Sequence, residues 1–580
     1  MMLDLIVRNG LVIDGTGSAG RRADIGIAGG RIVEVGDIAD QGREVLDASD
    51  LVVAPGFVDV HTHYDAQAFW DPTLGPSPLH GVTTVIGGNC GFSIAPLGEE
   101  SAEYVMHMLA RVEGMSIECL AAGVPWDWSS TAEFMDRLEG SLTPNSGWMV
   151  GHSALRCAAM GSAASDPSPS AGQLEKMKEL LRAGLRAGAL GFSSSWAETH
   201  SDHLGSPVPS RSAGLDELVA LCEVVAEFPG TSVEFVPGSL RFDENTLDVM
   251  TAMSVAANRA LNWNTLLIDG ADDDYIQHQL SAGDYAAARG GRVVALTAAD
   301  SRHFRVNFNT GYILDTLPGW DRLMSSGREE KLAILRDPAQ RAELDRLAKT
   351  ARGFARMFAD WENLLIVETF TPRYEQFVGQ DVGTAARALG LSAWDALVEV
   401  VVSDDLNTVF MKRDEFQDDK SWARRVELWR DPRTVVGASD AGAHLDMTEA
   451  FSYATTLLQI GVRERGLVPI EEAVRLLTSE PAHLYGLTDR GVIRVGAWGD
   501  LVIFDADRVA PEAVTSRFDL PGGGSRLYAA AQGVEHVVVA GVEAVRGREF
   551  TGARPGRVLR AGHDSATVVA HGGGPRTIDA

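Results

Sequence analysis

Three side chains within one short stretch have the types and spacing to do chemistry. Residues 55–91 read PGFVDVHTHYDAQAFWDPTLGPSPLHGVTTVIGGNCG and contain His61, His63 and Cys90. The apolar run 56–60 predicts a buried strand leading straight into His61-Thr62-His63. Residues two apart on an extended chain project to the same side, so both imidazoles leave one face. A second, β-branched run over 82–86 leads into Asn89-Cys90-Gly91. Two imidazoles and a thiolate at the ends of neighbouring parallel strands suit a zinc-like ion, which favours nitrogen and sulfur. The histidine pair alone does not make a site. Fourteen histidines in 580 residues supply about 0.3 such spacings by chance, and a buried free cysteine is ordinary core material. Position strengthens the reading, because active sites of (β/α)8 barrels sit at the C-terminal ends of the strands.

The elements that must hold these residues follow from periodicity. Eight strand candidates occur, at 56–63, 83–89, 147–153, 189–194, 231–236, 260–268, 291–299 and 434–440. Leu174, Met177, Leu181 and Leu185 follow helical spacing before the fourth, and Leu215, Leu218, Leu221, Cys222 and Val225 do so before the fifth. Strand-then-helix order predicts a parallel sheet, and eight such units predict a closed (β/α)8 TIM barrel of the α/β class. The gap 301–433 is too long for a plain crossover and predicts an insertion or lid between strands seven and eight. Short alternating strands punctuated at Gly29-Gly30 predict a hairpin within residues 1–53, and similar strands return at 500–504 and 536–542. The Gly- and Arg-rich segment 553–580 is expected to be a loose tail.

PGFVDVHTHYD followed by HGVTTVIGGNCGFSIAPL resembles the amidohydrolase superfamily and, within it, the D-aminoacylase (N-acyl-D-amino-acid deacylase) branch. The resemblance runs from Leu3 to about Arg508, including EPAHLYGLTDRGVIRVGAWGDLVIFD. It implies that residues 1–53 and 487–552 pair as a small β-sandwich beside a barrel spanning 54–486. SDAGAH at the end of strand eight is similar to the place where the family holds metal and moves a proton, which implies Asp440 as metal ligand and general acid–base. An isolated strand-end aspartate otherwise serves as a cap or turn former. The implied cofactor is zinc or a similar divalent ion held by His61, His63, Cys90 and Asp440. Water activated there attacks an amide carbonyl, and Asp440 returns its proton to the leaving nitrogen.

Further candidates are less constrained. GHSALR, ending strand three, resembles a motif of the same branch, and Arg156 could meet a substrate carboxylate or simply brace loops. His200 and His203, in the loop after strand four, could bind metal or substrate or be plainly solvated. Arg302, after strand seven, is another carboxylate-recognition candidate. The chain departs from the family at strands five and six, where histidines are expected and Glu234 and Asn264 stand instead. One ion per chain is therefore expected, with Glu234 a possible ligand and Asn264 at most a weak neutral donor to metal or substrate.

A net charge of −29 argues against nucleic acid or an anionic membrane as partner. Four scattered cysteines without CxxC spacing form no disulfide framework, and no apolar run is long enough to span a bilayer. A cytoplasmic enzyme with a small-molecule amide substrate is expected. The leading reading is hydrolysis of N-acyl amino acids, plausibly D. The alternatives are a hydrolase of cyclic or other small amides with a rebuilt single-metal site, and a catalytically silent ligand-binding barrel.

Overall fold

The computed structural model of the chain describes residues 2–98, 101–238, 240–268, 272–301, 303–310, 312–413 and 416–570. Its centre is one parallel eight-stranded sheet whose strands neighbour each other in chain order. They are β1 (Phe57–Asp59), β2 (Val82–Gly87), β3 (Asn145–Gly151), β4 (Gly191–Ser195), β5 (Ser232–Val236), β6 (Ala260–Leu266), β7 (Arg292–Thr297) and β8 (Thr434–Val436). Each falls within or across one of the eight stretches expected from sequence. The helices Ala171–Arg186 and Leu215–Ala226 match the two helical spacings, burying Met177, Leu181 and Leu185 in one and Leu218, Leu221, Cys222 and Val225 in the other. Only Leu215 stays out in solvent.

The barrel closes where β1 and β8 run out. Thr62 bridges Ala441 in parallel. The Asp440 N–H donates to the His61 carbonyl at 3.1 Å, and the His63 N–H donates to the Ala441 carbonyl at 2.8 Å. Inside, Val58, Val60, Ile86, Met149, Val294, Leu296 and Val435 fill the barrel as one apolar cluster. Strand β8 is shorter than the expected 434–440, because Ala438 and Asp440 adopt φ of +60°, which an extended strand cannot contain.

Both chain ends build a separate nine-stranded sheet. Leu501–Phe504 lies antiparallel to Val52–Pro55, with Leu501 opposite Pro55 and Phe504 opposite Val52. The hairpin expected near the N-terminus is the antiparallel pair Arg21–Ala28 and Arg31–Gly36. Between β7 and β8 the insertion forms helices, including Arg328–Arg336 and Pro338–Ala348, and a three-stranded sheet. It has its own apolar cluster, in which Trp320, Trp361 and Trp394 pack with ring centroids 4.9–5.6 Å apart.

The expected loose tail is corrected for residues 553–570. Leu559 is fully buried in the barrel cluster, beside Leu484 and Tyr485. Its N–H donates to the Ser146 carbonyl at 2.7 Å, and the Ser565 hydroxyl donates to the Gly230 carbonyl at 2.6 Å. Glycine and arginine content misled here, since the few apolar residues of the segment suffice to cover the lower end of the barrel. Residues 571–580 lie outside the described residues. Leu559→Ala is expected to cost about 2–5 kcal/mol, the range for deleting a buried leucine. An unchanged denaturant midpoint and slope in the variant would restore the loose-tail reading.

Candidate active site

His61 and His63 follow β1, Cys90 follows β2 and Asp440 follows β8, so three strands deliver them to one end of the barrel. Backbone geometry bends sharply to do so. Cys90 has φ of +56° and Asp440 of +60°, both in the left-handed region that disfavours side chains. Such residues persist only where surrounding contacts over-determine them. Gly442, at φ +92°, makes the closest approach possible. A Cβ there would lie 2.7–2.8 Å from the His63 backbone, so the β8 loop could not otherwise lie against β1.

The ligand-type atoms converge. His61 Nε2 is 3.3 Å from Cys90 Sγ, and His63 Nε2 is 3.7 Å from it. Asp440 Oδ1 lies 3.5 Å from His61 Nε2 and 3.3 Å from His63 Nε2. Bond lengths of about 2.0–2.3 Å in a tetrahedron separate ligand atoms by about 3.3–3.7 Å. The four contacts therefore match the spacing a zinc-like ion requires. Among the described residues, His61, His63 and Cys90 form a buried set whose ligand atoms all lie within 4.8 Å of one another. Asp440 stands outside that set but touches both imidazoles.

Glu234 sits beneath this group on β5, fully buried. Its Oε2 accepts the Cys90 N–H at 2.9 Å. Its Oε1 accepts no hydrogen bond among the described residues and stands 4.0 Å from His61 Nδ1. Burial pushes this carboxyl up to about 8, against the opposing pull of the Cys90 N–H and His63. Asn264, on β6, places Nδ2 3.0 Å from His61 Nε2 and its Oδ1 against the Thr265 hydroxyl. It touches the site through a histidine rather than lining open space.

The remaining sequence candidates divide. Arg156 is fully buried and faces protein on every side. Its Nη1 donates to both Glu217 oxygens at 2.9–3.0 Å, its Nε to the Ala164 carbonyl at 2.8 Å and its Nη2 to the Asp166 carbonyl. The substrate-carboxylate reading is corrected: this guanidinium braces the loops, and Glu217 also accepts from His152 at 2.9 Å. His200 lies at the edge of the site, with Nδ1 2.7 Å from the Ser195 hydroxyl and its ring 4.8 Å from that of Phe92. Burial, then His63 and His444, press its pKa down to about 3. The reading of His203 as a ligand of this centre is corrected. It is exposed, with its ring centroid 4.9 Å from that of His107 and the two rings tilted by 33°. Both line a cleft of about 790 Å³ between helix Ser101–Val112 and the insertion. Arg302 lies outside the described residues.

Four further residues complete the site: Asp59, Ser439 and His444 lie within the stretches that carry the resemblance, and only Glu113 carried no signal in the sequence. Ser439 donates to Asp59 Oδ2 at 2.5 Å, and burial pushes the Asp59 carboxyl up to about 7. Glu113 Oε1 lies 3.2 Å from His63 Nδ1. His444 donates its N–H to the Glu113 carbonyl at 2.5 Å. For His63 itself, burial disfavours the charged ring, but Glu113, Asp440 and Asp65 outweigh it and raise the pKa to about 9.

Arg156→Ala is expected to cost about 3–5 kcal/mol, because it strands a buried carboxylate. Burial works against the Glu217 charge, yet His152 and Arg156 outweigh it and hold the carboxyl below its ordinary 4.5. The stabilisation is therefore present above pH 4.5 and lost as pH falls through the lowered folded value. Wild-type and variant denaturation midpoints should converge on acidification. A substrate KM raised at unchanged stability would revive the carboxylate-binding reading.

Residues 44–545 match the model of the amidohydrolase family. The chain is 30% identical to N-acyl-D-glutamate deacylase of Alcaligenes xylosoxydans xylosoxydans, over 96% of each chain. It is 27% identical to D-aminoacylase of the same organism, over 96% of this chain and 97% of the relative. A crystal structure of N-acyl-D-glutamate deacylase from Bordetella bronchiseptica, complexed with zinc and a phosphonate inhibitor, superimposes with a TM-score of 0.63 at 25% identity. That match covers 97% of this chain and all of the other. A relative at this identity over nearly the full length, with a family match over most of the chain, leaves one assignment: the chain belongs to the amidohydrolase family.

Proposed function

We propose that this protein is a metal-dependent hydrolase of the amide bond in N-acyl amino acids, with D-configured substrates the first to test. The observation that carries the reading is the convergence of His61, His63, Cys90 and Asp440 at the barrel mouth, with separations of 3.3–3.7 Å. The likeness to N-acyl-D-glutamate deacylase over 96% of the chain supports the substrate class. His61, His63, Cys90 and Asp440 are the residues that would hold a divalent ion. When bound, such an ion supplies Lewis acidity, which lowers the pKa of water toward about 7 and polarises a carbonyl.

The chain's own residues do the rest. Asp440 Oδ1, in reach of both imidazoles, is placed to take a proton from the attacking water. It then delivers that proton to the departing nitrogen, which leaves poorly as an anion. Glu234 keeps Cys90 in its strained turn by accepting the Cys90 N–H. With Glu234 and Asn264 at strands five and six, the reading is a single ion per chain. A cyclic or other small amide is the second reading, favoured by that same rebuilt pair.

Purified protein should contain one equivalent of metal, which His61→Ala removes. Asn264→Ala should leave metal content nearly unchanged. Two equivalents in the wild type would overturn the single-ion reading and point to Glu234 or His200 as a ligand of a second ion. Asp440→Asn should lower kcat by about 10²–10⁴-fold or more while the protein stays folded. Near-wild-type kcat would remove Asp440 from its role. A screen of N-acyl-D- and N-acyl-L-amino acids with metal present separates the substrate readings. Turnover of cyclic amides alone would defeat the first, and no turnover of any amide would leave a ligand-binding barrel.

A further inference from the structure

Each metal-facing histidine has a second ring nitrogen, and what that nitrogen meets differs between the two. His61 Nδ1 stands 4.0 Å from Glu234 Oε1, beyond a hydrogen bond. His63 Nδ1 stands 3.2 Å from Glu113 Oε1, with both side chains nearly excluded from solvent. Glu113 occupies a position that local preferences oppose. It extends the helix Ser101–Val112 by one residue, its N–H donating to the Leu109 carbonyl at 2.9 Å. The helix macrodipole is negative at that end and disfavours a carboxylate. Burial disfavours it further unless the charge finds a partner. A rule broken locally calls for a compensating contact, and the contact here is an imidazole.

Glu113 is also held from the opposite side. Its carbonyl accepts the His444 N–H at 2.5 Å, from the same loop that carries Asp440. Next to it, a Cβ on Gly114 would come 3.1 Å from His444 Nδ1, so the segment packs tightly against that loop. The carboxylate thus has a fixed place from which to address His63. A neutral imidazole that donates from Nδ1 keeps its lone pair on Nε2. Nε2 of His63 is the nitrogen that faces Cys90 Sγ at 3.7 Å and Asp440 Oδ1 at 3.3 Å.

We propose that Glu113 is a positioning residue of the metal centre: it accepts the Nδ1–H of His63, fixing the tautomer and ring orientation that present Nε2 to the ion. This rests on the metal-site reading above. Partners of this kind typically change metal affinity by about 10–100-fold when removed. The contribution is one of acceptor geometry, so affinity should follow the reach of the acceptor oxygen and not its charge.

The test is zinc affinity by chelator competition in the full chain, with the melting temperature of the metal-free protein measured alongside. Glu113→Gln keeps an oxygen at the same reach and should hold affinity within a few-fold of wild type. Glu113→Asp keeps the charge but withdraws the oxygen, and Glu113→Leu removes it; both should weaken zinc binding by about 10–100-fold. If Glu113→Leu does not fold, the order of the Gln and Asp variants decides. Affinity preserved in Asp and lost in Gln would mean that only charge matters and would overturn the proposal. So would unchanged affinity in Asp and Leu, with only the metal-free melting temperature falling. Failure of the wild type itself to retain zinc would instead defeat the metal-site reading on which the proposal stands.

Discussion

The seam between the first and last barrel strands is the constraint on which the rest depends. Closing eight parallel strands requires the end of β1 to meet the end of β8, some 380 residues away in the chain. Here the meeting is made by the Thr62–Ala441 bridge, two backbone hydrogen bonds and the Ser439–Asp59 contact. His61 and His63 lie on one side of the seam and Asp440 on the other. Barrel closure and assembly of the candidate centre are therefore one event. The left-handed turns at Ala438 and Asp440, each able to cost on the order of 1–3 kcal/mol, are what aim the carboxylate inward.

Around that seam the protein buries five carboxyl groups. Asp440 approaches both imidazoles, Glu113 approaches His63, Glu234 lies by His61 and the Cys90 N–H, Asp65 feels His63, and Asp59 accepts from Ser439. Taking carboxylates out of water is costly unless they are paired. Burial raises the pKa values of Asp59, Asp65 and Glu234, which records that cost. Surroundings of this kind suit a cation. Glu234 and Asn264, at positions where the resemblance implies histidines, bring different chemistry: one is a buried carboxyl whose Oε2 accepts the Cys90 N–H, and the other offers its amide to His61.

The layers outside the centre divide the labour. The Arg156–Glu217–His152 cluster locks the loops after β3 and β4 without facing solvent. The insertion, stiffened by its tryptophan cluster, is joined to helix Ser101–Val112 by the Arg111–Asp315 pair and to the β8 loop by Arg305 and Glu449. It thereby forms one wall of the cleft that Gly114 and His203 also line. No helix among the described residues is long and apolar enough to cross a membrane.

The sequence by itself determined much of this protein. Periodicity located eight strands, because β-branched runs and amphipathic helices are local properties of the chain. His61, His63 and Cys90 stood out because each follows a strand, where a barrel presents its chemistry, and Asp440 stood out through the resemblance of SDAGAH to the amidohydrolase superfamily. Arg156 was left open between two readings for a physical reason: a guanidinium looks the same in sequence whether it meets a ligand or a buried glutamate, and only the contact with Glu217 in space favours the brace. Leu559 was lost in a polar tail, since one apolar residue has no period. Glu113 left no trace, because its meaning lies in a contact 50 residues away in the chain and across the barrel mouth. Tertiary structure alone decided which polar groups share a low-dielectric space, and there their electrostatics differ from anything composition can state.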